Sequence, residues 1–278
     1  MYESYWRLQA RPFEPSSDPR FYFPSESHQA ALLKLRYAIE HRRAAALVTA
    51  PAGVGKTMLV QQLLAQLPDA FQPQVNLVFP QMPADQLLAY LAAELTGESP
   101  TETPAIERSV RRVVAKLTEN AAAGRHAVVV IDEAHLLRDL DVLEAVRLLL
   151  NFEYQGYPML TMLLVGQPSM LPTLHRLPEL DDRLDVKCVV PRLTLEETMA
   201  YVTHRLHAAG AMRPIFYPDA LEALHDLAQG VPRRLNRLAD LALLIGFAQE
   251  LNAIRAPQIE VVAEELLIGS SADASRAA

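Results

Sequence analysis

The sequence predicts an α/β protein: a three-layer αβα core on a parallel sheet, followed by a small all-helical domain. Two observations predict it. Between residues 44 and 190, short apolar runs of strand length alternate with amphipathic helical stretches, which implies a parallel sheet covered on both faces. After Pro191 the strand signal stops and only helical periodicity continues. The 278 residues suffice for two modest domains with a sizeable core.

Residues 1–24, rich in aromatics, Pro and Arg, predict an ordered extended arm. Ser25 caps a helix to Glu40, with Ala31, Leu32, Leu35, Ala38 and Ile39 on its apolar face. Ala44–Thr49 is a buried-strand run; a turn at 50–55 leads into a helix over Lys56–Leu67. Val75–Phe79 is a second strand, then comes a helix over Ala84–Leu95 and a loop over Gly97–Pro104. The next helix, Ala105–Ala123, turns Ile106, Val110, Val113, Val114 and Leu117 to one side. Strands follow at Ala127–Ile131, Leu160–Val165 and Val186–Val190, with a helix over Leu140–Phe152. Helices over Thr194–Ala209, Pro218–Gln229, Pro232–Gln249 and Pro257–Leu267 complete the chain, and Thr194 with Glu197 is a capping-box pair. The expected division is an arm and helix (1–43), an α/β core (44–191), a helical lid (192–268) and a disordered small-residue tail (269–278).

Half the residues are hydrophobic and 21% are charged, a globular balance. The net charge of −7 gives no support to a basic coat for nucleic acid, so a DNA role would need a local patch. A single cysteine, Cys188, rules out an intrachain disulfide, fits a reducing cytoplasm, and is expected to be a buried thiol. No signal-type N-terminus and no apolar window long enough to span a membrane are found.

The segment Ala50-Pro51-Ala52-Gly53-Val54-Gly55-Lys56-Thr57-Met58 resembles the Walker A motif. Its chemistry needs a glycine turn between strand and helix, so that backbone N–H groups point at phosphates and the helix adds its positive end. Lys56 would meet the β- and γ-phosphates of ATP, and Thr57 would ligate magnesium. The motif's first glycine is Ala50 here, a departure that a small residue accommodates.

The strand Ala127–Ile131 ends in Asp132-Glu133 and resembles Walker B. Asp132 at the carboxyl edge of the sheet would hold Mg2+ through water, and Glu133 would act as general base. The alternative is that both acids cap the next helix. His135 follows, and is not expected to be catalytic.

Gly166-Gln167-Pro168 resembles the sensor 1 position of AAA+ proteins, with Gln167 reaching the γ-phosphate or lytic water; a plain turn is the alternative. Arg183, in Leu180-Asp181-Asp182-Arg183-Leu184, is the candidate arginine finger acting in trans, with Arg176 as second choice and local pairing to Asp181, Asp182 or Asp185 as the alternative. Gly230-Val231-Pro232-Arg233 opens a lid helix and resembles sensor 2, with Arg233 at the motif's spacing.

The arm carries a longer match. Tyr5-Trp6-Arg7-Leu8, Arg11-Pro12-Phe13, Asp18-Pro19-Arg20-Phe21-Tyr22, Ser25, His28 and Ala31-Leu32 resemble the opening of the ExeA (general secretion pathway protein A) family of AAA+ P-loop ATPases. The resemblance implies a P-loop NTPase core with a helical lid, ATP and Mg2+ as ligands, and an oligomer. It also implies an arm that helps wall the adenine pocket, with Phe13, Phe21 and Tyr22 near the base; ordinary aromatic packing of the arm is the favoured alternative for each residue. Full-length members continue into a membrane helix and a wall-binding part, so that role is not expected to carry over. The module also resembles transposition regulators of the TnsC, TniB and IstB kind, which bind DNA.

Three functions follow: a cytoplasmic ATPase serving a secretion or pilus apparatus, an ATP-dependent DNA-bound regulator, and a nucleotide-dependent binding module with negligible turnover. Lys34, Arg36, His41, Arg42, Arg43, Arg111 and Arg112 are the footholds for DNA, and overall acidity counts against them. An intact Lys56, Asp132, Glu133 and Gln167 count against a silent module.

Overall fold

A computed structural model describes residues 1–14, 18–98 and 105–276, with side chains to residue 266. The expected loop at 97–104 therefore lies largely outside the described residues. Contacts divide the chain into two units. One holds Glu26–Ala52 and Lys56–Val190; the other holds Met1–Ser25, Gly53–Gly55 and Pro191–Ala278.

The first unit is built on five parallel strands: β1 (Ala45–Thr49), β2 (Gln74–Leu77), β3 (Ala127–Ile131), β4 (Leu160–Gly166) and β5 (Leu184–Val189). Their order across the sheet is β2-β3-β4-β1-β5. Every residue of β1, β3 and β4 is buried, which is why these segments read as unbroken apolar runs. β5 lies at the edge and behaves differently. Leu184 and Cys188 turn inward, whereas Asp185, Lys187 and Val189 are not buried. Charged side chains on an edge strand discourage pairing with another chain. The expected buried thiol is found: Cys188 is 5% exposed, and burial pushes its pKa up.

Helices Glu26–Glu40, Lys56–Ala65, Ala84–Thr96, Ile106–Ala122 and Leu140–Leu149, with the short helices Leu171–His175 and Pro178–Asp181, belong to this unit. β2 stops at Leu77, two residues before the expected end, where its pairing with β3 ends at Ile131; Val78 and Phe79 are exposed. The helix expected through Phe152 stops at Leu149, and the chain forms a small antiparallel pair, Glu153–Tyr154 with Tyr157–Pro158. Gln155 and Gly156 supply the positive φ values of that tight turn. Ile106, expected on the inner face, is 52% exposed; Ser109, Val113, Leu117 and Asn120 are the buried positions.

One buried histidine makes this unit sensitive to acid. His126 Nε2 lies 2.8 Å from Thr161 Oγ1, and the Thr161 hydroxyl donates to the Arg43 carbonyl at 2.6 Å. The threonine oxygen therefore accepts from a neutral imidazole. Burial, and secondarily the Arg42 charge, pushes the His126 pKa down to about 4. The unfolded chain takes up this proton near pH ~6.5, so stability is full above that value and falls as pH drops toward the folded pKa. We expect a loss of about 3 kcal/mol across that window. Urea titrations between pH 7.5 and 4 should show a shallower decline for His126→Gln; coincident pH dependences would refute this.

The second unit is helical: Leu195–Ala208, Pro218–Ala228, Pro232–Ala248 and Ala256–Arg276. The capping box is present, with Thr194 Oγ1 accepting from the Glu197 amide and the Glu197 carboxylate accepting from the Thr194 amide. The last helix continues through the small-residue stretch at 269–276, whose alanines favour helix. The arm joins this interior. Trp6 is 1% exposed and donates its indole N–H to the Leu243 carbonyl at 2.9 Å. Gly246 leaves room for it: a Cβ there would stand 2.7 Å from the Trp6 ring. Phe13 meets Phe216 edge-on and Phe21 lies under the Arg205 guanidinium; both rings are buried. Phe13 and Phe21, offered to an adenine by the resemblance, are packed in this interior, and a large ring gains most where it is fully desolvated.

Arg205 ties the arm down. It is 3% exposed and donates to the carbonyls of Pro12 and Glu14 and to the Tyr201 hydroxyl. Its charge is met by carbonyl dipoles and aromatic faces in place of a carboxylate. Tyr201 in turn donates to Asn236 Oδ1 at 2.7 Å.

Candidate functional site

The register sets up the site. Thr49 of β1 aligns with Gly166 of β4, and Leu164 of β4 aligns with Ile131 of β3. Three strands thus finish at one carboxyl edge, from which Ala50, Asp132 and Gln167 continue; ligands bind at this edge in open α/β sheets.

The loop after β1 makes a turn before the helix at Lys56. Its positive-φ positions are Gly53 (81°) and Gly55 (108°), conformations that glycine adopts without steric cost. Ala50 is not among them. It is fully buried and donates its amide to the Gly166 carbonyl at 3.1 Å, so the departure from glycine carries no backbone penalty. Lys56 is 6% exposed, and its ammonium approaches the carbonyls of Ala50 (3.3 Å) and Pro51 (3.5 Å). A buried ammonium beside a turn of backbone amides suits a polyanion.

Thr57, on the first turn of that helix, donates its hydroxyl to Asp132 Oδ2 at 2.8 Å. Asp132 is 4% exposed and its other oxygen accepts from the Glu133 amide at 2.8 Å. The two residues expected to share a metal are thus joined across two elements. Among the described residues no group of three or more His, Cys, Asp or Glu could hold a metal ion by itself. Met58 is half-buried on the next position of the helix.

Glu133 has φ +51°, an uncommon conformation for a residue with a side chain. It opens a short 3-10 turn, Ala134–Leu136. Gln167 donates from Nε2 to His135 Nε2 at 2.9 Å, and His135 Nδ1 stands 3.2 Å from Glu133 Oε2. His135, left without a role by the sequence, is therefore the residue between Glu133 and Gln167. The signal was its place two residues beyond Glu133, but only the pairing of β3 with β4 brings Gln167 to it.

Arg183 donates to Asn151 Oδ1 at 2.7 Å rather than to the neighbouring aspartates, and Asp181 pairs with Lys187. Arg176 is exposed and makes no side-chain hydrogen bond or ion pair among the described residues. In the helical unit Arg233 is exposed at the head of its helix, with its amide donating to the Gly53 carbonyl at 3.2 Å. A Cβ at Gly53 would come within 2.9 Å of the Arg233 Cβ. Pro51, Ala52 and Val54 fill the remaining loop positions, with Val54 buried.

Comparison with known proteins agrees with this arrangement. An AAA domain model matches residues 39–174. General secretion pathway protein A of Aeromonas hydrophila is 34% identical over 270 residues, 96% of this chain, and the chain spans 48% of that protein's length. Among solved structures, the Drosophila ORC bound to DNA superposes with a TM-score of 0.71 at 16% identity, covering 96% of this chain and 66% of that one. The Aeropyrum pernix ORC2 protein gives 0.68 at 15%, covering 92% and 72%. The Walker-type ATPase of Pyrococcus abyssi gives 0.64 at 19%, covering 96% and 80%. At such identities the structural matches speak for the fold. With its loop, acidic strand end and sheet order, the chain belongs to the AAA+ P-loop ATPase family and within it resembles general secretion pathway protein A.

Proposed function

We propose that the chain binds ATP with magnesium and hydrolyses it to ADP and phosphate. The observation that carries this reading is the Thr57–Asp132 hydrogen bond beside a buried Lys56, which joins the phosphate loop to the acidic strand end. Amides of residues 52–57 and the Lys56 ammonium hold the phosphates. Thr57 and Asp132 would hold Mg2+, which when bound would neutralise charge on the phosphate oxygens. Glu133 takes a proton from water as the water oxygen bonds the γ-phosphorus and the bond to the bridging oxygen breaks. Gln167 orients that water or the γ-phosphate. Arg233 serves as sensor 2, and Arg183 or Arg176 reaches the site of a neighbouring copy in an oligomer.

The relative's name supports a secretion or pilus-type assembly as the setting. No helix among the described residues is long and apolar enough to cross a membrane, which is compatible with a cytoplasmic module. A DNA-bound regulator gains little support from the arginines offered as footholds. Arg36 pairs with Glu40, Arg111 with Glu107 and Arg112 with Glu98; Arg42 donates to the Gly124 carbonyl and Arg43 to the Tyr37 hydroxyl.

Calorimetry with Mg·ATP should give a saturable heat that Lys56→Ala removes, and turnover per subunit should rise with protein concentration, as an arginine supplied in trans requires. An unchanged isotherm in Lys56→Ala would overturn the assignment. Retention on duplex DNA only with ATP, weakening steeply with salt, would instead favour the regulator.

A further inference from the structure

We propose that His135 is a positioning residue that links the base Glu133 to Gln167, so that the two are set as a unit. The inference rests on the ATPase reading above. Its first support is the chain of contacts: Gln167 Nε2 donates to His135 Nε2 at 2.9 Å, which leaves the imidazole proton on Nδ1. That Nδ1 is buried with no hydrogen bond among the described residues, and Glu133 Oε2 stands 3.2 Å from it at an angle short of one. A buried N–H without a partner is costly, and a small rotation of the Glu133 carboxylate would satisfy it.

The second support is how tightly the imidazole is held. Its side chain is 12% exposed, whereas that of Glu133 is 40% exposed. Gly166 admits the turn that carries it: a Cβ at that position would lie 3.0 Å from the His135 amide and 2.7 Å from Met170 Sδ. Glu133 itself holds a positive φ, so the turn aims its carboxylate by backbone constraint on one side and by the imidazole on the other. Gln167 follows β4 directly, and its amide is thereby tied to the turn after β3.

A base must be aimed as well as present: small misplacements of a reacting group cost on the order of a hundredfold in rate. His135 touches neither the nucleotide phosphates nor the attacking water in this account. Its loss should therefore appear in kcat and leave ATP affinity alone.

The test compares the parent with His135→Ala and His135→Gln, measuring steady-state kcat and, separately, the Kd of Mg·ATP by calorimetry. We expect His135→Ala to lose about tenfold or more in kcat with Kd within about twofold. His135→Gln retains one donor and one acceptor and should recover most of the rate. Adding Gln167→Ala to His135→Ala should cost much less than the product of the single effects, as groups acting together do. If His135→Ala does not fold, His135→Leu fills its place as the apolar variant. Parent-level kcat in the apolar variant, or equal losses in kcat and affinity, would overturn the positioning role while leaving the ATPase reading intact. A parent chain that binds Mg·ATP without any turnover would remove both.

Discussion

Glu133→Gln should retain Mg·ATP and turn it over at least about a hundredfold more slowly than the parent, the range expected when a general base is removed. The amide keeps the shape of the carboxylate and can still accept from His135, but it takes no proton from water. Asp132, Thr57 and Lys56, which make the contacts beneath it, are untouched by the change. Calorimetry should therefore return the parent affinity, while single-turnover phosphate release slows. Parent-level release in this variant would remove Glu133 from the chemistry and favour the reading in which the two acids only cap the following turn.

Gly230→Ala should destabilise the chain by about 3 kcal/mol. Gly230 has φ +65°, and a Cβ there would stand 2.1 Å from the Leu193 carbonyl oxygen. That oxygen belongs to backbone, so no side-chain rotation relieves the overlap. The same two residues are joined by a hydrogen bond from the Leu193 amide to the Gly230 carbonyl at 2.9 Å, which must break if they separate. The left-handed conformation accounts for about 1 kcal/mol and the lost buried bond for roughly 1–3 kcal/mol more. Gly97 is the control: its φ is +73° with nothing within 4 Å of the added atom among the described residues, so Gly97→Ala should show the conformational cost alone. Equal midpoints for the two variants in urea would show that the overlap at Leu193 is absorbed cheaply.

Much of this was legible in order of sequence, because the signals were local. β1, β3 and β4 are buried at every position, and an unbroken apolar run is what such strands require. The phosphate loop is a contiguous string whose two essential glycines fall where the chain turns. What escaped the sequence depends on distant partners. Ile106 fits a helical apolar stripe, yet the stripe is wider than the surface it covers, and Ser109 and Asn120 take buried places instead. The short hairpin at 153–158 follows an apolar helix end and carries no long alternating pattern. His135 gained its meaning from Gln167, 32 residues away. Phe13 and Phe21 read in sequence as interior packing first and ligand contacts second, and only the fold names their neighbours, near residues 205 and 216.

The Trp6 indole bond to Leu243 joins residues 237 positions apart. During synthesis the tryptophan leaves the ribosome 237 residues before its acceptor. For that interval a large ring must wait in water or in transient company, while the strands between can already pair. The helical part therefore closes only after residues 26–190 have been made, when two segments far apart in sequence meet. Such long-range closure is slow compared with local folding, and a single cut between residues 25 and 191 would sever the arm residues Tyr2, Trp6, Leu8, Phe13 and Phe21 from the rest of that interior.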